Sequence, residues 1–219
     1  MIEDLKIAHL LCTRLCHDLA GPVGAVSAGV ELIGSDLSLV DEETLSLLSG
    51  SADAAGRKLK FLRLAFGWSG SGIASMGDLS GIFEDYLIAT SGPSGRPTLS
   101  WPDQSLLQPF VAKLGDEATQ VISNLMLLGV ECMPSCRSLI VECNGEGGAI
   151  EIAVKNRTAE GRISKVRDVV HDILYAPEVP EITPHTIQAY HTRLIIEKLG
   201  GHLSLDADET GVVVKANWG

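Results

Sequence analysis

Three features of this 219-residue chain predict an α+β fold in two parts. Two long amphipathic stretches, 3–34 and 42–66, open the chain with a short break between them. A Gly- and Ser-rich run, Gly67-Trp68-Ser69-Gly70-Ser71-Gly72, follows them. The remainder, about 75–219, mixes helical and strand-like patterns. Hydrophobic residues make up 45% of the chain, so it can bury a core and is not a disordered polymer.

In the first stretch Ala8, Cys12, Leu15, Leu19, Val23, Val26, Val30 and Ile33 recur at 3–4 spacing and, at about 100° per residue, form one stripe. Gly34-Ser35-Asp36 ends the pattern. The second stretch carries a matching stripe in Leu45, Leu48, Ala52, Ala55, Leu59, Leu62 and Phe66. The short connection makes the two helices antiparallel neighbours. A hairpin alone cannot enclose a core, and no second hairpin follows. A second copy of the chain is the expected partner, giving a homodimeric four-helix bundle. The Gly/Ser run reads as a flexible linker, which divides the chain into 1–70 and 75–219. In the second part helices are expected at 79–90, 109–133, 163–174 and 184–199. Strands are expected at 97–101, 138–144, 149–155, 202–206 and 211–217.

Bulk properties narrow the function classes. The formal charge of −11 offers no basic footprint for nucleic acid. No apolar run of 18 or more residues spans a membrane, and the acidic start Met1-Ile2-Glu3-Asp4 is unlike a secretory signal, so a cytoplasmic location is expected. The five cysteines, at 12, 16, 132, 136 and 143, are an odd count and argue against a disulfide framework. His9, Cys12, Cys16 and His17 can be drawn as a metal site, but cysteines four apart on helices read more simply as small apolar residues.

One residue stands off the apolar pattern. His17 lies roughly 165° from the centre of the first stripe and points to solvent. Around it on the outer face lie Thr13, Ala20, Gly21, Gly24 and Ala28, where an exposed helix normally carries Lys, Glu and Gln. Each glycine weakens a helix by about 1 kcal/mol against alanine, and a face of small residues lets another protein approach closely. Pro22 removes the hydrogen bond to the carbonyl of Asp18, so a bend is expected beside the histidine. Asp18 can orient the imidazole and hold its proton. In an antiparallel hairpin position 17 faces roughly position 59, among Arg57, Lys58, Lys60 and Arg63. These cations, with Arg14 one turn before the histidine, can balance a bound anion.

The run Leu15-Cys16-His17-Asp18-Leu19-Ala20-Gly21-Pro22 resembles the H-box of sensor histidine kinases, a histidine followed by an acid and, five residues on, by proline. Its continuation, Val23-Gly24-Ala25-Val26 through Gly29-Val30-Glu31-Leu32, together with Arg63-Leu64-Ala65-Phe66-Gly67, looks more specifically like the ChpT-type histidine phosphotransferases. The second part looks like a degenerate histidine-kinase ATPase-like (Bergerat-type) α/β sandwich. Gln120-Val121-Ile122-Ser123-Asn124-Leu125 resembles the start of a kinase N-box, and Leu199-Gly200-Gly201-His202-Leu203 with Gly211-Val212-Val213-Val214 resembles the closing segment.

The departures carry as much information. Leu128 stands where the magnesium-holding asparagine would fall. Lys155-Asn156-Arg157-Thr158 lacks the adenine-binding acid and glycine, and Thr186-Ile187-Gln188-Ala189 replaces the glycine-rich motif. Without these groups the adenine amine, the phosphates and magnesium lose their partners. The resemblance thus implies a phosphoryl shuttle: His17 takes the group from the receiver domain of a hybrid histidine kinase and passes it to that of a response regulator. Asp18 orients the imidazole; Arg14, Lys60 and Arg63 are candidates for charge balance; Gly21, Pro22 and Gly24 belong to the docking face. The chain is expected to bind no cofactor, to use no ATP, and to rely on Mg2+ brought by the receiver. His9, His171, His185, His191 and His202 receive no role. The rival readings are an ATP-dependent histidine kinase and a non-catalytic dimeric adaptor.

Overall fold

The computed structural model describes residues 2–36, 40–67, 76–91, 95–132, 137–146, 149–157, 168–176, 180–208 and 211–219. Two helices form the antiparallel hairpin, α1 (Ile2–Ser35) and α2 (Glu42–Phe66). Asp41 caps α2 by accepting from the Thr44 amide at 2.7 Å, and Glu42 and Glu43 complement the positive end of the helix dipole. α1 continues through Pro22. The carbonyl of Asp18, which the proline cannot serve, accepts instead from Lys58 Nζ on α2 at 3.2 Å. Lys58 thus stands opposite Asp18, in the register that sets position 17 opposite position 59.

The expected stripe on α1 is only partly covered by α2. Leu15, Val26 and Ile33 are half-buried, whereas Ala8, Cys12, Val23 and Val30 stay exposed. On α2, Leu45, Ala52 and Leu59 are likewise open. The end of α2 behaves differently: Phe61, Leu62, Leu64 and Ala65 are buried in the main core.

The second part comprises α3 (Met76–Thr90), β1 (Thr98–Ser100), α4 (Gln104–Leu114), α5 (Glu117–Cys132), β2 (Ser138–Glu146), β3 (Ala149–Arg157), α6 (Asp168–Tyr175), α7 (Ile187–Lys198), β4 (His202–Ala207) and β5 (Gly211–Trp218). The sheet order is β1-β2-β3-β5-β4, with β1 parallel to β2 and every other pair antiparallel. Val141, Val154, Val214 and Leu205 stand in one cross-strand row on the buried face. Helices α4, α5 and α7 cover that face.

The single helix expected over 109–133 is two. Gly115 has φ of +56°, a left-handed conformation that a side chain disfavours, and its amide closes α4 on Val111 at 2.8 Å. The helix expected over 184–199 begins at Ile187 and ends in a Schellman turn: Gly201 N–H bonds to Ile196 at 2.9 Å and Gly200, at φ +73°, to Glu197 at 3.0 Å. A side chain at Gly201 would meet the Trp218 indole at 2.5 Å, and that indole donates to Leu199 at 3.1 Å. The paired glycines therefore seat the last strand against the end of α7.

α5 is buried nearly all round. One side meets β3 and β5, and another meets α2, α3 and α7. One core cluster consequently runs from Phe61 and Leu62 through α5 to Trp218. Of the glycine-rich run, Gly67 is described, its amide bonded to the Arg63 carbonyl at 2.9 Å; residues 68–75 lie outside the described residues, as do 163–167 of the helix expected over 163–174.

The α2–α7 contact has a pH sensitivity. His191 packs its ring 5.6 Å from Phe66, and its buried Nε2 has no hydrogen-bond partner among the described residues. Burial lowers its pKa to about 4. The unfolded chain, with an ordinary histidine, binds the proton first as pH falls. Stability is thus full above pH ~6.5 and declines between about 6.5 and 4, by up to ~3 kcal/mol from this group. Urea titrations across that range should show the decline, and His191→Phe should flatten it. Equal slopes for the two proteins would remove His191 as the cause.

Candidate functional site

His17 sits at mid-helix on α1 with its side chain 83% exposed. Its Nδ1 lies 3.4 Å from Asp18 Oδ1. Asp18 is better held than its neighbour: Arg14, one turn earlier, donates from Nε to Asp18 Oδ2 at 3.1 Å. The other end of the same guanidinium, Nη2, pairs closely with Glu131 Oε1 on α5. Only 14% of the Arg14 side chain is exposed. Burial opposes its charge, but the Glu131 and Asp18 carboxylates outweigh that cost and hold its pKa above the ordinary arginine value.

His17 opens onto a groove between the hairpin and the second part. Thr13, Arg14, His17 and Asp18 form one wall, and Glu131, Val170, Pro184 and His185 the other. The sequence showed nothing to associate the second wall with His17. Glu131 ends an apolar helix, and His185 lies in a turn before α7 with no motif around it. Only the packing of α5 and α7 against the hairpin brings them to this place.

The remaining predicted residues divide. Gly21 and Gly24 are exposed on α1, and a Cβ at either would meet nothing within 4 Å. Packing within this chain therefore does not demand glycine at either position. Pro22 is half-buried beside them. Arg14, a candidate for charge balance, has its Nε and Nη2 turned to two carboxylates. Lys60 is exposed but faces the start of α3, in a separate depression with Asp78 and Asp85. Arg63 is exposed in the last turn of α2 and does not line the His17 groove. Arg57 pairs with Asp85 at 3.0 Å. Of the basic cluster, Lys58 is the member that bonds to α1.

Cys12 and Cys16 are exposed free thiols, and among the described residues no three His, Cys, Asp or Glu side chains gather as a metal site.

Two of the three segments that depart from the nucleotide motifs are packed inside, while Lys155 of the third is half-buried and Thr158 lies outside the described residues. Leu128, Ile187 and Gln188 are fully buried and Thr186 nearly so. Gln188 Nε2 donates to Asn124 Oδ1 at 2.9 Å and to Thr192 Oγ1 at 3.1 Å. Asn124 Nδ2 in turn donates to the Ala65 carbonyl on α2 at 2.7 Å. Gln120 Nε2 reaches the Gly67 carbonyl at 3.1 Å. These amides satisfy carbonyls left open where α2 ends, and so the polar network clasps the hairpin to α5 and α7.

Residues 77–211 match the family described as histidine phosphotransferase C-terminal domain. The chain is 30% identical over 219 residues to the protein phosphotransferase ChpT of Brucella abortus (strain 2308), covering 98% of this chain and 97% of that protein. A solved bacterial phosphotransferase superposes with a TM-score of 0.72 at 26% identity, over 97% of this chain and 96% of the other. A looser likeness, with a TM-score of 0.43 at 11% identity over 92% and 96% of the two chains, is to the Acinetobacter baumannii histidine kinase AdeS. Among the described residues no helix is long and apolar enough to cross a membrane.

Proposed function

The chain belongs to the histidine phosphotransferase family, and from that premise we propose that His17 is the residue that carries the phosphoryl group between two receiver domains of a phosphorelay. The observation that bears most weight is the pairing of an exposed imidazole with a held carboxylate at the groove between the hairpin and the second part. Asp18 on Nδ1 selects the tautomer protonated there and leaves the Nε2 lone pair free. Nε2 attacks the phosphorus of a receiver's phospho-aspartate in line. The N–P bond forms as the P–O bond breaks, and the receiver recovers its carboxylate. The Nδ1 proton stays beside Asp18, whose charge offsets the positive character of the phosphorylated ring. Delivery to the second receiver is the reverse reaction.

Gly21, Pro22 and Gly24 provide a low surface for the receiver, since the glycines cost the helix stability without serving its own packing. Lys60 and Arg63 act at the edge of that contact, through charge rather than through the phosphoryl group itself. Magnesium belongs to the receiver's acidic pocket. The second part, 75–219, is a histidine-kinase ATPase-like sandwich that uses no ATP. Supporting this, Leu128, Ile187 and Gln188 are spent on the core and on the clasp to α2. The hairpin, 1–70, also mediates dimerisation. Val30 and Leu47 are 60% and 67% exposed, with Val23, Leu45 and Leu59 also open, and a second hairpin covers such surface in a four-helix bundle. The working location is the cytoplasm.

Two experiments test these statements. Purified chain is mixed with a 32P-labelled receiver and Mg2+, beside an arm with labelled ATP alone. Acid-labile, base-stable label should appear from the receiver and not from ATP. Label from ATP alone contradicts the reading of the second part, and no label from several competent donors contradicts the shuttle. For the dimer, light scattering should give twice the chain mass, and Val30→Glu with Leu45→Glu should give the monomer. A monomeric wild type refutes the bundle.

A further inference from the structure

We infer that Glu131, contributed by the second part of the chain, is a positioning residue for the phosphoryl-accepting histidine and acts on it through Arg14 and Asp18. This inference rests on the assignment of His17 as the acceptor. The four side chains form an alternating series, Glu131 to Arg14 to Asp18 to His17, with each link at a different atom. Glu131 Oε1 takes Arg14 Nη2, Asp18 Oδ2 takes Arg14 Nε at 3.1 Å, and Asp18 Oδ1 faces His17 Nδ1 at 3.4 Å.

The geometry of guanidinium explains why the series needs its far end. Arginine offers a planar fork that pairs naturally with both oxygens of one carboxylate. If Arg14 did so with Asp18, Oδ1 would turn to Arg14 and leave His17. Glu131 occupies Nη2, so Arg14 engages Asp18 through Nε on Oδ2 and leaves Oδ1 for the imidazole. The two carboxylates hold Arg14 from α1 and α5 at once. Lys58 from α2 holds the main chain of the same Asp18 at its carbonyl. Tyr86 of α3 lies within electrostatic reach of Asp18, Arg14 and Glu131; burial raises its pKa above the ordinary tyrosine value, so it adds no charge. Among the described residues, His185 is the remaining ionisable group on the groove wall. Three elements thus fix a carboxylate whose one open oxygen faces the nucleophile.

The arrangement gives the second part a role in the chemistry besides forming the opposite wall of the groove. Its α5 decides which oxygen of Asp18 the histidine sees. Arg14 belongs to that support and not to the phosphate contacts.

Glu131→Gln in the full chain tests this, because it keeps the shape and removes the charge. The first readout needs no receiver: imidazole 15N shifts report the tautomer of His17. The Nδ1-protonated form should dominate in the wild type and lose that dominance in Glu131→Gln, with Glu131→Asp restoring part of it. The second readout is the phosphoryl-transfer rate at saturating phospho-receiver, expected to fall about tenfold with little change in receiver affinity. In an Asp18→Asn background the Glu131→Gln change should have no further effect on either readout. An unchanged tautomer population overturns the proposal, as does an equal drop with and without the Asp18 carboxylate. If the wild type takes no label, the shuttle reading fails by itself, and the tautomer measurement still decides the positioning series.

Discussion

His17→Gln should reduce acceptance of the phosphoryl group from a phospho-receiver by roughly 10⁴-fold or more, the scale on which loss of a covalent nucleophile registers. Glutamine keeps a polar side chain of similar reach but has no ring nitrogen with an available lone pair. The side chain is 83% exposed and, among the described residues, makes one polar contact, to Asp18, so stability should change by less than about 0.5 kcal/mol. The comparison therefore isolates chemistry from folding. It is read as acid-labile label on the chain after brief mixing with the labelled receiver, with melting curves beside it. Retained transfer in a folded His17→Gln protein would move the acceptor elsewhere, and His185 on the facing wall would be the first alternative.

The largest structural effect is expected at Asn124, where Asn124→Leu should destabilise the protein by about 3 kcal/mol and lower its melting temperature by roughly 6–12 °C. Leucine fits the volume but supplies neither donor nor acceptor. The Ala65 carbonyl loses the 2.7 Å bond from Asn124 and keeps only the 3.4 Å approach of Gln120, and Gln188 Nε2 loses its 2.9 Å acceptor. Both groups lie in an interior where water cannot replace the partner. The loss should also be shared. Because Phe61, Leu62 and Ala65 belong to the same core as Val121, Leu125 and Trp218, hairpin and sheet should melt in one transition. Scanning calorimetry checks this, and two separated transitions in the wild type would show that the core does not couple the two parts.

The hairpin was legible because periodicity and turn chemistry are local. The helix limits of 3–34 and 42–66 lie within a residue of the observed ends, and the antiparallel geometry brought Lys58 opposite Asp18 from arithmetic alone. The exposure of His17 followed from its angle to the stripe. What stayed hidden depends on distant segments. The split at Gly115 was not read because Leu114 and Ala118 continue an apolar rhythm across the glycine. The partial cover of the α1 stripe depends on how α2 lies against it. That Arg14 is held between two carboxylates is visible only in three dimensions. Asp18 was one turn away and was assigned to the histidine; Glu131 was at the end of an unrelated helix. Asn124 belongs to the run that resembles the N-box and Gln188 to the segment that replaces the glycine-rich motif, and neither pattern shows that the two bond to each other.

The contact between Lys58 and the carbonyl above Pro22 also acts as a detent. Helices lined with Gly, Ala and Ser can slip past one another by a turn, about 5.4 Å, with little change in how their surfaces mesh. Proline leaves one main-chain oxygen midway along α1 in need of an outside donor, and a single lysine supplies it. Gly29 receives Leu48 eleven residues further along, and an added Cβ there would collide with that leucine. Two unlike fittings, one polar and one steric, have to engage together, and no neighbouring slip satisfies both. The level of His17 along the hairpin is thereby indexed to α2, so the histidine is presented at one fixed level to whatever docks there.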